Sequence, residues 1–281
     1  MLSTVCVPEL ANFASKYSGM DSIDACFDPQ RFRQWPHTID YQYNSRGFRD
    51  AEWPENLTNA VWCLGDSFTA GIGSALAHTW VKVLATRSQQ PTINISMDGA
   101  SNNWLARKCC EIYSIVQPKT LIVMWSYIHR RESSDTTQSD YMRRIWRCST
   151  TTEQDYKNLA ECRHLVKTHC AHSNIIELII PNWRPGLSQY SYSKIRDVSW
   201  PALVIDIANH QQILDELANV HGEDTNLLLD QISVQRNFPE LTQLIQVPQL
   251  DIARDGHHFD IVTSEWVSDQ ITQQLMHILK D

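Results

Sequence analysis

The chain has 281 residues, of which 42% are hydrophobic and 20% charged, and its formal net charge is −8. The length suits one large α/β domain or two small ones, and the composition is that of an ordinary globular protein. The net negative charge argues against a broad nucleic-acid or anionic-membrane surface. No apolar run reaches the length of a membrane span, and the first residues lack the pattern of a secretory signal, so we expect a cytoplasmic protein.

Residues 1–57 precede the first clear strand. The segment is mixed in character and contains nine aromatic residues, among them Phe27, Phe32, Trp35, Tyr41, Tyr43, Phe48 and Trp53. Such a segment can bury enough apolar surface to fold. We therefore predict an extension, 1–57, that packs on a main domain, 58–281. Within it, 43–50 reads as a turn that places arginines near an acidic group.

The apolar run 60–64 has the length and composition of a buried strand, and Gly65 at its end allows a sharp turn. Ser67 would then lie at the edge of a sheet. Exposed there beside backbone N–H groups, its hydroxyl could serve as an acyl-transfer nucleophile. Gly-Asp-Ser is also ordinary turn chemistry, so this stretch alone leaves both interpretations open.

Helical and strand patterns alternate after this point. The predicted elements are a helix over 76–86, a strand over 92–96, a helix from 103 to 116, a strand over 120–126, a helix over 153–169, a strand over 174–181 and a helix over 262–279. The alternation predicts an α/β fold with a central, mainly parallel sheet between two helical layers. Ligands bind beyond the carboxyl ends of such strands. Ser67, Gly99, 125–127 and 182–184 lie at these ends.

The stretch 255–260 reads Asp-Gly-His-His-Phe-Asp. A serine nucleophile needs a base, and the base needs a carboxylate to orient it. Asp255 and His258 are three residues apart, so one turn of loop could supply both groups. His257 is adjacent, and a shift of one residue would exchange the two histidines. A solvated or capping histidine pair is the alternative.

These stretches resemble the SGNH hydrolases, or GDSL-type esterases and lipases. The first motif of that family, Gly-Asp-Ser followed by small residues, matches 65–71, and the last, Asp-x-x-His before the final helix, matches 255–258. The resemblance implies a flavodoxin-like α/β/α fold in which Ser67 is the nucleophile, His258 the base and Asp255 its partner. It also implies that the N–H groups of Ser67 and Gly99 form part of the oxyanion hole.

The third motif of the family, Gly-x-Asn-Asp, is not matched. The corresponding stretch, 124–129, contains no Asn, and the loss of one oxyanion donor typically costs ~10²–10³ in rate. Asn102, Asn103 and Ser126 are candidate replacements, of which Asn102 is our assignment. A weak or degenerate member of the family is the alternative. Asn-x-x-Gly-Phe-Arg at 44–49 also resembles a segment of some SGNH-like proteins, which suggests a wall of the substrate cleft. The stretch 255–259, together with Trp125-Ser126, resembles phage and marine microbial proteins of this type.

Two longer excursions could shape specificity. Residues 129–147 contain five arginines, which suits an anionic sugar, a phosphate or a partner protein, or else a solvated helix face. Residues 181–201 contain Trp183 among several aromatics, which suits stacking on a sugar or packing onto the body. We assign Trp125, Ser126 and Trp183 to substrate binding.

Other chemistries have weaker signals. Thr69 stands where a Gly-x-Ser-x-Gly elbow needs glycine, and no Walker lysine or dinucleotide spacing follows Gly65. A metal site on 255–260, or zinc on the cysteines and histidines of 162–172, is conceivable, but the latter falls on an apolar helical stripe. The eight cysteines include no Cys-x-x-Cys pair, and we interpret them as mostly buried thiols in a reducing compartment.

The sequence therefore predicts a serine esterase, with carbohydrate O-deacetylation as the finer assignment. It needs no cofactor and no metal, and its expected substrate is a small ester or an acylated carbohydrate. The competing class is a binding or structural module that has the same fold but little or no catalytic activity. A metal-dependent hydrolase is the third.

Overall fold

The centre of the fold is a five-stranded parallel sheet. The protein is described from a computed structural model that covers residues 4–55, 57, 59–144, 146–147, 152–181 and 243–278. The predicted substrate residue Trp183 and the rest of 182–201 lie outside this part. The strands are β1 (Ala14–Ser15), β2 (Tyr41–Gln42), β3 (Val61–Gly65), β4 (Thr92–Ser96), β5 (Thr120–Trp125), β6 (Arg130–Arg131), β7 (Trp146–Arg147), β8 (Asn174–Ile179) and β9 (Ile245–Gln246). The helices are α1 (Pro29–Gln34), α2 (Ser67–Ala70), α3 (Trp80–Ser88), α4 (Asn102–Val116), α5 (Asp140–Arg143), α6 (Thr152–His169) and α7 (Ile261–Ile278).

The strand order of the sheet is β4-β3-β5-β8-β9, and all four pairings are parallel. In chain order this is 2-1-3-4-5, the flavodoxin-like order. β4 is added on one side of β3, and the later strands β5, β8 and β9 are added on the other side. The connections leave β3 in opposite directions, so a crevice forms at the carboxyl ends of β3, β4 and β5. This is where such folds bind ligands.

Alternate residues of β3 point to opposite faces, as the pleat requires. Trp62 and Leu64 pack in one core with α4 and α6, whereas Val61 and Cys63 pack in the other with α3 and α7. Both faces of the sheet are thus covered, which explains why its strands read as continuous apolar runs. The predicted three-layer α/β/α fold is confirmed.

The predicted bounds agree with the structure within one or two residues, except over 76–86. There one 3₁₀ turn, Leu76–His78, is followed by Thr79 in extended conformation (φ −65°, ψ 145°), and α3 begins at Trp80. The Thr79 hydroxyl donates to the Leu76 carbonyl (2.9 Å), which satisfies the end of the first turn. The apolar pattern runs across this break. The two-residue strand β9 was not predicted, because so short a strand has no periodicity.

The segment before β3 packs on the sheet domain. Tyr41, Tyr43 and Ile39 are buried against Ala70, the last residue of α2, and Ile72, which follows that helix. The antiparallel pair β1–β2 lies within this segment. Residues 4–55 therefore support the edge of the sheet where Ser67 lies.

The turn at 43–50 is structural. The Asn44 side-chain oxygen accepts the N–H groups of Arg46 (3.0 Å) and Phe48 (3.1 Å). Arg49 is fully buried, and its guanidinium donates to the carbonyls of Ala70, Gly71 and Ser74. Arg49 thus braces the loop that carries the nucleophile and does not line a cleft. Its hydrogen-bond partners are carbonyl groups, whereas the charge of Arg46 in the same turn acts on the acidic Glu52.

Within the described part, no helix is long and apolar enough to cross a membrane. The seven cysteines described there are free thiols, and four of them, Cys63, Cys109, Cys162 and Cys170, are buried.

Candidate active site

Ser67 lies at the first position of α2, directly beyond β3. Gly65 is needed just before it, because a Cβ there would come 1.9 Å from the Thr69 hydroxyl. Asp66 caps α2 and accepts the Phe68 N–H (3.0 Å). Ser67 itself is 2% exposed. The strand end, the glycine and the cap together hold the Ser67 side chain at the crevice.

The three residues predicted as a triad form a continuous hydrogen-bonded chain. Ser67 Oγ is 2.8 Å from His258 Nε2, and His258 Nδ1 is 2.5 Å from Asp255 Oδ2. The other oxygen of Asp255 accepts the N–H groups of His257 (3.0 Å) and His258 (3.1 Å). His258 is 2% exposed and Asp255 is fully buried. The loop between β9 and α7 therefore holds the imidazole against the hydroxyl in one orientation.

The electrostatics of this pair follow from its burial and its proximity. Burial acts to lower the pKa of His258, but the charge of Asp255 and its hydrogen bond outweigh burial and raise it. Burial likewise acts to raise the pKa of Asp255, but His258 and the two N–H groups outweigh it and lower it. The carboxylate is thus held ionised where an imidazolium would form, as general-base chemistry at Ser67 requires.

His257 makes different contacts. Its Nε2 is 2.8 Å from the Tyr127 hydroxyl, and its ring lies 4.8 Å from the Phe27 ring. Burial, helped by the charge of His258, lowers the pKa of His257 to about 3, so this ring is neutral near pH 7. Of the two adjacent histidines, His258 is the one in contact with both Ser67 and Asp255.

Gly99 lies in the turn after β4 with a φ of +76°, a conformation that glycine adopts readily. β3 and β4 end level with each other, since Gly65 pairs with Ser96 and Met97 N–H donates to the Gly65 carbonyl (3.2 Å). No described residue accepts the N–H of Ser67 or of Gly99. Both groups are therefore available at the same edge of the sheet.

The three candidate replacements for the missing Asn are all engaged elsewhere. Asn102 accepts the Ser126 N–H (2.8 Å) and donates to the carbonyls of Ser126 and Tyr127 (3.3 Å each). Asn103 donates to Asn158 and Cys162 between α4 and α6, and the Ser126 hydroxyl donates to Asp66 (2.6 Å). The Asn102 side chain, which we predicted as an oxyanion donor, holds the backbone after β5.

Trp125 and Ser126, which we predicted to bind substrate, both lie in the interior of the described structure. Trp125 is fully buried in the core beside α4 and α6, and its indole N–H donates to Glu177 on β8 (3.0 Å). Ser126 is fully buried as well. Trp125 is the last residue of β5, and the pleat turns its ring into the core and away from the crevice.

The arginine-rich excursion is not the solvated helix face that the sequence allowed. It consists of the pair β6–β7 and the four-residue helix α5. Arg131 pairs with Asp155, and Arg143 pairs with Glu132. Arg130 is 3.1 Å from Asp66 and 3.1 Å from the Ser126 hydroxyl.

The contact between Arg130 and Asp66 joins residues 64 positions apart. Sequence reasoning therefore missed it. The arginine content of the segment was the one available signal.

The residues considered for metal binding do not converge in the described structure. Asp260 accepts the Ser74 hydroxyl (2.6 Å), while Asp255 faces His258 and His257 faces Tyr127. His169 contacts Ser114, away from Cys162. In the ranges covered by the structure, no three His, Cys, Asp or Glu side chains are grouped as metal ligands.

Comparison with known proteins gives only distant similarities. No protein-family model matches the sequence, and no curated protein matches it significantly. Among solved structures, the chain is similar to TesA (13% identity, TM-score 0.43, covering 77% of this chain and 97% of that one). It is also similar to the psychrotrophic esterase EstA from Pseudoalteromonas sp. (15%, 0.41, 79% and 100%). A third match is a family two carbohydrate esterase from Clostridium thermocellum (12%, 0.41, 82% and 67%). The chemistry assigned below rests on the geometry of this chain.

Proposed function

We propose that the protein is a serine esterase of the SGNH hydrolase type. The observation that carries the proposal is the chain of contacts from Ser67 through His258 to Asp255, at 2.8 and 2.5 Å. Ser67 and His258 are 191 residues apart in sequence. A nucleophile, a base in contact with it and a carboxylate that orients the base are the three parts that acyl transfer needs.

The first half of the reaction forms an acyl-enzyme. Ser67 Oγ bonds to the ester carbonyl carbon as His258 Nε2 takes the hydroxyl proton, and the carbonyl electron pair moves onto oxygen. The N–H groups of Ser67 and Gly99 donate to that oxyanion. The oxyanion then re-forms the carbonyl, the bond to the alcohol breaks, and His258 gives its proton to the departing alkoxide.

The second half uses water. His258 takes a proton from a water molecule, whose oxygen bonds to the acyl carbon, and the bond from that carbon to Ser67 Oγ breaks. The serine oxygen recovers its proton from His258, and the carboxylic acid leaves. Asp255 stays ionised throughout and stabilises the imidazolium in both halves. These steps need no cofactor.

Our finer proposal for the substrate is an acetylated carbohydrate. This is tested by release of acetate from acetylated glycans, with small aryl esters as reference substrates. Turnover of aryl esters without acetate release from glycans would keep the esterase and reject the deacetylase.

The decisive experiment is the intact mass of the folded protein after exposure to a fluorophosphonate. We expect one adduct on the wild type and none on Ser67→Ala or His258→Ala. His257→Ala is the matched control, since this neighbouring histidine contacts Tyr127 and not Ser67, and it should be labelled. A folded wild type that stays unlabelled would reject the nucleophile and favour a binding module, to be screened against glycans.

A further inference from the structure

The oxyanion hole proposed above has two backbone donors. The third donor would be the asparagine of the Gly-x-Asn-Asp motif, and 124–129 contains no asparagine. Asn102, Asn103 and Ser126 are each engaged elsewhere, as described. A different side chain contacts Asp66, the residue that directly precedes the nucleophile. The guanidinium of Arg130 follows β5 by five residues and extends back to the nucleophile loop.

Arg130 is anchored on the residue that directly precedes the nucleophile. Its Nη1 lies 3.1 Å from Asp66 Oδ2 and 3.1 Å from Ser126 Oγ. The other oxygen of Asp66 accepts the Phe68 N–H, which follows the nucleophile. Asp66 thus connects the two residues on either side of Ser67 and holds the guanidinium on the residue before the nucleophile.

The plane of the guanidinium is fixed by a ring. Its central carbon lies 4.6 Å from the centroid of Tyr127, whose hydroxyl contacts His257, the residue next to the base. Stacking of this kind orients an arginine, because the guanidinium is flat and its charge is attracted to the ring face. Arg130 is therefore held from one edge and from one face.

The remaining edge is open. Neither Nε nor Nη2 of Arg130 has an acceptor among the residues that the structure describes. The side chain is 14% exposed, whereas its partner Asp66 is not exposed at all. Donors that are fixed in place before the reaction, and pay no reorganisation during it, are the ones that stabilise a developing oxyanion best.

We propose that Arg130 supplies the third donor of the oxyanion hole, by an N–H of its open edge. This inference rests on the esterase function proposed above. No covalent bond to Arg130 forms or breaks. Asp66 balances the charge of Arg130 in the resting enzyme, and the oxyanion formed on the substrate then takes a charge-assisted hydrogen bond from the same cation.

The test is the kinetics of Arg130→Ala on a neutral aryl ester. We expect kcat to fall by ~10²–10³ with KM little changed, because the lost contact exists only in the transition state. Added guanidinium ion should restore part of kcat, whereas urea and sodium chloride should not. A role limited to folding would not respond to guanidinium in this way. Arg130→Lys should recover little, since an ammonium lacks the fork that contacts two groups at once.

Three controls accompany it. Arg87→Gln removes an arginine that pairs with Asp269 and Glu265 on α7, and it should keep the wild-type kcat. Ser126→Ala removes one anchor of Arg130 and leaves the guanidinium present. Asp66→Asn/Arg130→Ala removes the buried carboxylate that Arg130→Ala leaves unpaired, so that a folding defect is separated from a catalytic one. Circular dichroism checks that each variant is folded.

The results distinguish a failure of the Arg130 assignment from a failure of the esterase proposal. A labelled and active wild type, together with a folded Arg130→Ala of unchanged kcat, would overturn the Arg130 assignment and leave the esterase intact. A change confined to KM for anionic esters would also overturn it, because Arg130 would then bind a charged substituent and not the oxyanion. An unlabelled wild type would instead reject the esterase itself.

Discussion

Two buried carboxylates flank the nucleophile, and they differ in what they do. Asp66 and Asp255 are both fully buried; the Asp66 side chain accepts one backbone N–H and that of Asp255 two, and each also accepts a side-chain donor. Yet burial raises the pKa of Asp66, and Arg130 and Ser126 do not offset it. The pKa of Asp255 is lowered, because His258 and two N–H groups outweigh burial.

The difference lies in the partner. Arg130 is charged at all times, so the Asp66 pair stays the same through the reaction and serves as an anchor. His258 gains and loses a proton, so the charge of Asp255 matters most when the imidazolium forms. Asp66 therefore fixes the position of Arg130, whereas Asp255 stabilises the charge on His258 during each proton transfer.

The largest effect is expected at the histidine through which Asp255 acts. His258→Gln should lower kcat by ~10⁵–10⁶, since a triad without its base loses most of its rate. His257→Gln should cost no more than about tenfold, the equivalent of one displaced hydrogen bond. Steady-state kinetics on aryl esters measure both. Equal losses would show that the neighbouring ring is part of the machinery.

Next comes the exchange of each carboxylate for its amide. Asp255→Asn should lower kcat by ~10⁴, because Asn stabilises neither the correct tautomer nor the imidazolium. Asp66→Asn keeps an oxygen for the Phe68 N–H and should cost only about tenfold. A rate for Asp66→Asn as low as that for Asp255→Asn would remove the distinction between anchor and participant.

The pKa of His258 gives a third comparison. In the wild type we expect the pKa of His258 to lie above the usual 6.5. Because the base must be unprotonated, kcat/KM should decrease as the pH is lowered, with a midpoint above 6.5. Asp255 is the larger cause of the raised pKa and Asp66 a smaller one, so Asp255→Asn should lower it more than Asp66→Asn does. Titration of the His258 Cε1–H proton by NMR measures all three. The exposed Asp135→Asn should leave the curve unchanged.

The smallest effect is on the pH dependence of stability, and its sign differs between the two carboxylates. The folded pKa of Asp255 is depressed, so its contribution is present above the unfolded pKa and is lost as pH falls through the folded pKa. The folded pKa of Asp66 is raised, so the folded state holds its proton more tightly and stability falls as pH rises from the unfolded pKa through the folded pKa.

Urea unfolding of wild type, Asp66→Asn and Asp255→Asn between about pH 3 and pH 6 measures this dependence, across the range where unfolded aspartates titrate. The difference in free energy of unfolding between wild type and variant should rise with pH for Asp255→Asn and fall for Asp66→Asn. Parallel slopes would contradict the assignment of opposite pKa shifts.

Much of the site could be predicted because its parts are local in sequence. Gly65 to Gly71 encodes a strand end, a turn and a serine, and Asp255 lies one loop turn from His258. Gly99 could be placed because the resembled family has a glycine after the next strand along the chain, and Gly99 follows that strand. For three other predicted residues the packing decides where the side chain points: Trp125 and Ser126 are buried, and Asn102 contacts the backbone after β5. Each lies at or directly next to the end of a strand or helix, where a small change of register decides which way a side chain points.

The sequence by itself determined the alternation of strands and helices and the residue types that chemistry requires, since both depend on short-range patterns. Only the tertiary structure decided which of the two histidines meets Ser67, and that Arg130 reaches Asp66 across 64 residues. It also decided that Arg49 braces the nucleophile loop from the N-terminal segment. These contacts depend on how distant segments pack at one edge of the sheet, and no local pattern records that packing.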